Sequence, residues 1–195
     1  MIGVGVARAV FASLIGLAAT PAQPDNPKAR QTMSAMQAKR IRKLAEEYFT
    51  AFAVGNYARV VDLMYPTLVE IAGGRSKTIE MLREIMRGTG EDMKPDARMI
   101  LATQQVSEPK QIVTVGENQF AILLVTARVE APGGTLQIKS FIIAISSDHG
   151  RSWTFIDGAV IDGAKFTRQD LTKIVPGFPA QLSLPVIEQR VFQPR

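Results

Sequence analysis

The sequence predicts an α+β fold in which N-terminal helices pack on an antiparallel sheet. Three helical segments precede any clear strand, and the strands that follow are joined by short turns. Short turns join antiparallel strands, because a parallel connection needs a crossover of about a dozen residues or more. Helices grouped ahead of an antiparallel sheet are typical of the α+β class.

The first 33 residues are expected to lie outside the folded domain. An apolar run from Ala9 to Ala19 follows a single charge, Arg8, and precedes Thr20-Pro21-Ala22, which is typical of a secretory signal peptide cleaved near Ala22. An uncleaved anchor is the alternative, but the run beyond Arg8 is too short to cross a bilayer. We expect residues 1–22 to be a signal peptide and 23–33 a disordered linker. The mature protein would be exported, periplasmic or extracellular, with no stable membrane span.

Composition excludes several classes of function. The chain has 195 residues, 46% hydrophobic and 21% charged, which suits one domain with an ordinary core. The net charge is +5, and it falls to +4 if the signal peptide with Arg8 is removed. The basic cluster at Lys39–Lys43 is followed by Glu46 and Glu47 on the same predicted helix, so this helix has a mixed solvated face. Nucleic acid is therefore not an expected partner. The chain has no cysteine and one histidine, which excludes thiol chemistry and the usual zinc ligands. We expect neither a metal nor a cofactor.

The first helix is predicted to begin at Ser34, where Ser34-Ala35-Met36-Gln37 has the form of a capping box. Apolar residues then recur at helical spacing up to Gly55-Asn56, so one face of this helix must be buried. These residues are Ile41, Leu44, Ala45, Tyr48, Phe49 and Phe52.

Two shorter helices are predicted next. One starts at Tyr57 and is interrupted at Pro66, because proline removes a donor and restricts the residue before it. The other follows Gly73-Gly74 and ends at Arg87-Gly88. The domain would then continue to residue 175.

The strand region is predicted to contain two less certain strands, then one long hairpin, then one short strand. The predicted strands span 98–106, 111–115, 120–130, 135–146 and 153–156, and Pro132-Gly133-Gly134 supplies the turn of the hairpin. Thr167-Arg168-Gln169-Asp170 resembles a capped helix start. Residues 176–195 are expected to be a C-terminal extension that wraps the surface.

The turn from Ser146 to Trp153 resembles the Asp-box, S-x-D-x-G-x-S-W, which is known from sialidase propellers. Asp148 suits the role of accepting backbone N–H groups, Gly150 suits positive φ, and the indole of Trp153 can fold back over the turn. The pattern occurs once, whereas a propeller needs many repeats. We therefore interpret it as a structural turn.

The order of these segments resembles the nuclear transport factor 2-like superfamily, the cystatin-like α+β cone, and in particular its SnoaL-like and uncharacterised exported members. The resemblance rests on YFTAFAVGNYARVVDLMYP, the helix after Gly73-Gly74, and hairpins that end in SSDHGRSWTFIDG. It covers residues 34–175. It implies a strongly curved sheet, a hydrophobic pocket at the open end of the cone, and relatives that range from isomerases, dehydratases and hydrolases to domains that only bind or dimerise.

Catalytic members of that superfamily place an acid or base in the pocket, often an Asp or His aided by a Tyr. His149 is expected at a solvated hairpin tip, which argues against a role as general base. Alternation along a strand places Asp157 on one face with Trp153 and Phe155, where desolvation would raise its pKa. The favoured interpretation is that Asp157, beside Gly158, caps the end of the strand in solvent.

Further side chains are candidates for contact with a ligand. Tyr48, Phe52 and Tyr65 either line the pocket from the helices or belong to the core. Glu70 lies in an apolar segment and either enters the pocket or points outward. Arg128 ends an apolar strand face, where it could meet an anionic group or solvent.

The leading functional hypothesis is an exported domain that binds a small apolar molecule without catalysis. The alternative is a cofactor-independent isomerase, dehydratase or hydrolase that uses Asp157 with Tyr48. A third is a purely structural interaction domain. Both faces of the strand from Phe120 to Ala127 are apolar, so one needs a cover, either the C-terminal tail or a second copy of the chain. We expect a homodimer through this sheet face.

Overall fold

The computed structural model of the protein describes residues 30–31, 34–88, 100–131, 134–163 and 167–192. The expected signal peptide and most of the linker lie outside the described residues. Within the described part of the chain, no helix combines the length and the apolar character that a membrane span requires.

Among the described residues, four helices precede the main body of the sheet, one more than the sequence predicts. They are α1 (Ala35–Ala53), α2 (Tyr57–Leu63), α3 (Pro66–Ile71) and α4 (Arg75–Gly88). Pro66 is the first residue of α3. The first N–H groups of a helix have no acceptor within the helix, so the N–H that proline lacks is not needed at this position. The proline that was expected to interrupt one helix therefore starts another.

One of the two contacts of the predicted capping box at the start of α1 is present. The Ser34 hydroxyl accepts the N–H of Gln37 at 3.1 Å, as in a capping box. The amide of Gln37 does not return to Ser34; its Nε2 donates to Oε1 of Gln119 at 3.2 Å. The residue thus anchors the start of α1 to the sheet.

All seven described strands join one sheet through antiparallel pairs. They are β1 (Arg30–Gln31), β2 (Ile100–Val106), β3 (Ile112–Val115), β4 (Asn118–Ala131), β5 (Gly134–Ser146), β6 (Thr154–Asp157) and β7 (Glu188–Phe192). The long hairpin of β4 and β5 lies at the centre, as predicted. Strands β3 and β2 pair with opposite ends of β4, and β6 and β7 pair with opposite ends of β5. The α+β class and the antiparallel sheet are confirmed.

Three elements do not follow the sequence-based expectation. Arg30–Gln31, within the expected linker, pairs with β3. A short helix α5 (Gly158–Gly163) follows β6 directly, and β7 forms inside the C-terminal extension. The predicted helix near Thr167 is present as α6 (Arg168–Ile174), with a complete capping box between Thr167 and Asp170.

Strand alternation gives the sheet two faces with different partners. The inner face carries Leu123, Ile142 and Phe155, and the ring of Phe155 lies 6.1 Å from that of Tyr48 in α1. The outer face carries Phe120, whose ring lies 5.8 Å from that of Phe178 in the C-terminal segment. The main core therefore lies between α1 and the inner face.

Candidate functional site

The end of strand β6 brings a carboxylate to the inner face of the sheet. Asp157 is opposite Ile142 in β5, and Phe155 is opposite Ala144. Paired residues of antiparallel strands point to the same face, so Asp157 lies directly beside Ile142, and Leu123 lies one strand further along the same row; both neighbours are fully buried. The expected alternation of Phe155 and Asp157 is present, and the surroundings of the carboxylate are apolar.

Asp157 also begins helix α5. Its Oδ1 accepts the N–H of Ala159 at 2.8 Å, which is the contact of an N-cap residue. Gly158 follows at a point of very close approach, because a Cβ there would lie 2.7 Å from the carbonyl oxygen of Phe141. Only glycine fits that contact without a shift of the backbone, so the position of Asp157 relative to β5 is fixed by packing.

Burial raises the pKa of Asp157 to about 6, and the hydrogen bond from Ala159 opposes that rise only in part. The residue as a whole is half-buried. From the sequence, Asp157 was expected to cap the end of the strand with its carboxylate in solvent. The capping contact is present, but the carboxyl group is desolvated. Asp157 can therefore change its protonation state close to neutral pH.

Tyr48 is a titratable residue whose pKa this carboxylate affects. It lies in α1, is 5% exposed, and packs edge-on against Phe49 with ring centroids 5.2 Å apart. Burial first, and then the negative charge of Asp157, raise the pKa of the Tyr48 phenol far above its ordinary value. The phenol therefore keeps its proton at any physiological pH. Among the described residues, no group accepts that proton in a hydrogen bond, so Tyr48 offers a donor beside Asp157.

The other aromatic candidates lie around this pair but have different tasks. Phe155 is fully buried against Tyr48. Tyr65 is half-buried, and its backbone N–H donates to the carbonyl of Phe155 at 2.9 Å, which attaches the α2–α3 connection to β6. Phe52 is half-buried and packs its ring against Tyr57. Phe155 thus supplies part of the apolar wall at the site.

Glu70 and Arg128 are not brought to the Tyr48–Asp157 pair. Glu70 is exposed on α3. Arg128 is opposite Gln137 and shares the outer face with Phe120, so it projects from the other side of the sheet and is exposed. An anionic ligand group on the inner face would not meet its charge.

The Asp-box-like turn forms a self-contained hydrogen-bonded clasp. The Asp148 carboxylate accepts the backbone N–H groups of Arg151 and Ser152, at 3.0 and 2.8 Å, and the hydroxyl of Ser152 at 2.6 Å. These bonds hold the pKa of Asp148 well below its ordinary value. Gly150 has φ +84°, and the indole N–H of Trp153 donates to its carbonyl at 3.2 Å. The predicted turn chemistry is confirmed, and Trp153 is committed to the clasp.

His149 lies at the tip of this clasp and is exposed, as expected. Its Nε2 is 3.9 Å from the carboxylate of Glu117, a contact between two largely exposed side chains. In the described part of the chain, no three acidic or histidine side chains are grouped as metal ligands would be.

Ser140 is a polar residue of the inner face that the sequence analysis did not single out. It lies two residues before Ile142 in β5, and its Oγ is buried without a hydrogen-bond partner among the described residues. The segment TLQIKSFIIAIS contains the pattern that could have identified Ser140. Alternate residues of a strand point to the same face, so Ser140 lies on the face of Ile142 and Ala144. It could be found only by assigning parity to β5.

The outer face is covered in part by the C-terminal segment. The guanidinium of Arg168 donates to the carbonyls of Pro179, Ala180 and Leu182 at 3.0, 2.7 and 2.6 Å. It also lies 5.8 Å from the ring centroid of Phe178, which packs on Phe120. The tail is thus the cover over Phe120. The homodimer stays a prediction, and Leu124, which is 45% exposed, is a large apolar side chain of this face that is open to solvent.

Comparison of the chain with family models, with curated proteins and with solved structures gave no significant match.

Proposed function

We propose that this protein binds a small, mainly apolar molecule at the inner face of the sheet, with Tyr48 and Asp157 at the polar end of the ligand. The observation that carries the proposal is the juxtaposition of a buried phenol and a desolvated carboxyl in apolar surroundings. Binding sites for small molecules typically combine an apolar lining with a few polar groups that set orientation.

A physical argument favours a ligand at this pair over a purely structural role. Burial disfavours a hydroxyl that makes no hydrogen bond within the protein. The Tyr48 side chain is desolvated, its hydroxyl has no acceptor among the described residues, and a phenylalanine would bury the same ring without that hydroxyl. A ligand with one polar group would satisfy both Tyr48 and Asp157.

The test is native mass spectrometry of the purified full chain, followed by the same measurement after unfolding. We expect a bound small molecule that is released on unfolding, and weaker retention by Tyr48→Phe, which keeps the ring. The matched control is Tyr57→Phe, which removes a hydroxyl elsewhere in the helical layer. Absence of any bound species, together with no response to added apolar probes in an NMR titration, would refute the proposal.

A second candidate is proton transfer, as in a cofactor-independent isomerase, dehydratase or hydrolase. One observation favours it: Asp157 has a pKa raised to about 6, and Tyr48 stays protonated beside it. A base with a pKa near the working pH and a fixed donor form the acid–base pair that such chemistry needs. The assay is exchange of α-protons of apolar ketones with D2O, followed by NMR. Exchange that is equal in the native protein and in Asp157→Asn would exclude this function.

Membership of the nuclear transport factor 2-like superfamily and export are further parts of the proposal. They are supported by the order of helices and antiparallel strands and by the apolar run from Ala9 to Ala19. N-terminal sequencing of the protein recovered outside the cytoplasm should give a chain that starts just after Ala22. Recovery of a chain that still starts at Met1 would refute cleavage.

A further inference from the structure

The buried hydroxyl of Ser140 narrows the chemical class of ligand that this site would take, and the inference rests on the proposed function above. Ser140 is opposite Val125, and its side chain lies on the inner face with Ile142. Its Oγ is buried and has no hydrogen-bond partner in the part of the chain that the structure describes. A serine that only filled space in this apolar strand could be replaced by alanine at no cost in hydrogen bonding.

The strand register places Ser140 near Asp157. Ile142 is directly opposite Asp157, so Ser140 is the diagonal neighbour of Asp157 on the same face. Diagonal neighbours of this kind lie about 7–8 Å apart at their Cα atoms, with their Cβ atoms somewhat closer. One oxygen atom between them can therefore reach both side chains at hydrogen-bond distance. Tyr48 in α1 lies on the same side of the sheet, with its ring centroid 6.1 Å from that of Phe155, two residues before Asp157.

We propose that Ser140, Asp157 and Tyr48 together bind the hydroxyl group of a neutral, apolar alcohol or phenol. A hydroxyl is both a donor and an acceptor. It can donate to the Asp157 carboxylate while its two lone pairs accept from the Tyr48 phenol and from the Ser140 hydroxyl. All three polar groups would then be satisfied by one ligand atom.

The same geometry disfavours a carboxylic acid as ligand. A ligand carboxylate has acceptors only, and it would lie beside the negative charge of Asp157 in apolar surroundings, where like charges repel strongly. The cationic side chains of the central hairpin, Arg128 and Lys139, both lie on the outer face, because they have the opposite parity to Leu123 and Ile142. They cannot neutralise an anion on the inner face.

The test is an NMR titration of the full chain at pH 7.5 with two alcohols of different size, cyclohexanol and 2-naphthol. Each is compared with its matched carboxylate, cyclohexanecarboxylate or 2-naphthoate, and with its parent hydrocarbon. We expect at least one alcohol to bind more tightly than its matched carboxylate. Ser140→Ala should lower the affinity for that alcohol by about 3- to 10-fold, which is the range for loss of one hydrogen bond. Ser140→Thr, which keeps a hydroxyl, should restore binding, and Ser147→Ala, at an exposed position in the clasp, should leave it unchanged.

The outcomes separate this inference from the proposed function. If an alcohol binds equally well to Ser140→Ala and to the native protein, or a carboxylate binds as tightly as its alcohol, this inference is wrong and the binding function stands. If none of the probes binds, both are wrong. The comparison of alcohol with carboxylate is made on the native protein alone. The inference can therefore be tested even if Ser140→Ala fails to fold.

Discussion

Replacement of Asp157 by asparagine should make the protein more stable, by an amount that grows as the pH rises above about 4 and is nearly complete once the pH passes about 6. The folded-state pKa of Asp157 is raised by burial, so the native structure favours the protonated, neutral carboxyl. Asparagine mimics that neutral form and keeps an oxygen that can accept the N–H of Ala159. Asparagine is also among the residues preferred at a helix N-cap. The substitution therefore removes the charge and preserves the local contact.

The magnitude follows from linkage between protonation and folding. The ordinary pKa of 3.8 and the folded value of about 6 differ by about 2, and one pKa unit corresponds to about 1.4 kcal/mol. The stabilising contribution of protonated Asp157 is fully present below the unfolded pKa and is lost as pH rises through the folded pKa. The native protein should thus lose up to about 3 kcal/mol between pH 4 and pH 8 at this residue. Because Asp157 is only half-buried as a whole, we take that figure as an upper limit.

The assay is urea unfolding of the native protein and Asp157→Asn at pH 4, 6 and 8. The variant should match the native protein at pH 4 and exceed its free energy of unfolding by about 1–3 kcal/mol at pH 8. The matched control is Asp170→Asn. The pKa of Asp170 is lowered, chiefly by its hydrogen bonds with Thr167, so this variant should be destabilised near neutral pH and the difference should vanish in acid. An effect of Asp157→Asn that is the same at pH 4 and pH 8, or a loss of stability at pH 8, would refute the reasoning.

Two further predictions concern the clasp and the C-terminal segment. Asp148→Ala should lower the melting temperature, because the carboxylate accepts backbone N–H groups of the turn. Its pKa is depressed, so the difference from the native protein should shrink as pH falls below about 4, and an equal difference at pH 3 and pH 7 by calorimetry would contradict this. Arg168→Met should expose residues 178–192 to limited proteolysis and increase binding of an apolar dye as Phe120 is uncovered. Arg59→Met, which breaks an exposed ion pair worth less than about 1 kcal/mol, is the control, and equal proteolysis of both variants would contradict the clamp.

The candidate site shows where sequence patterns reach their limit. Alternation along β6 was enough to place Phe155 and Asp157 on one face, because the alternation of side chains is a property of the local backbone. The protonation behaviour of Asp157 depends on which groups exclude water from it. Those groups come from β4, from β5 and from Tyr48 in α1, and their arrangement is a product of packing between distant segments. Ser140 was overlooked for the same reason, since an isolated hydroxyl in an apolar strand gains meaning only when its neighbours are known.

The sequence by itself determined the elements whose causes are local: the cap of α1 at Ser34, the interruption of the helical segment close to Pro66, the central hairpin, and the Asp148 clasp. Capping, proline geometry and turn hydrogen bonds all act over a few residues, so they can be recognised without tertiary structure. Only the tertiary structure decided which face each helix and tail covers, because burial is set by contacts between residues far apart in the chain. It placed Arg128 on the outer face, Phe178 over Phe120, and Tyr48 beside Asp157.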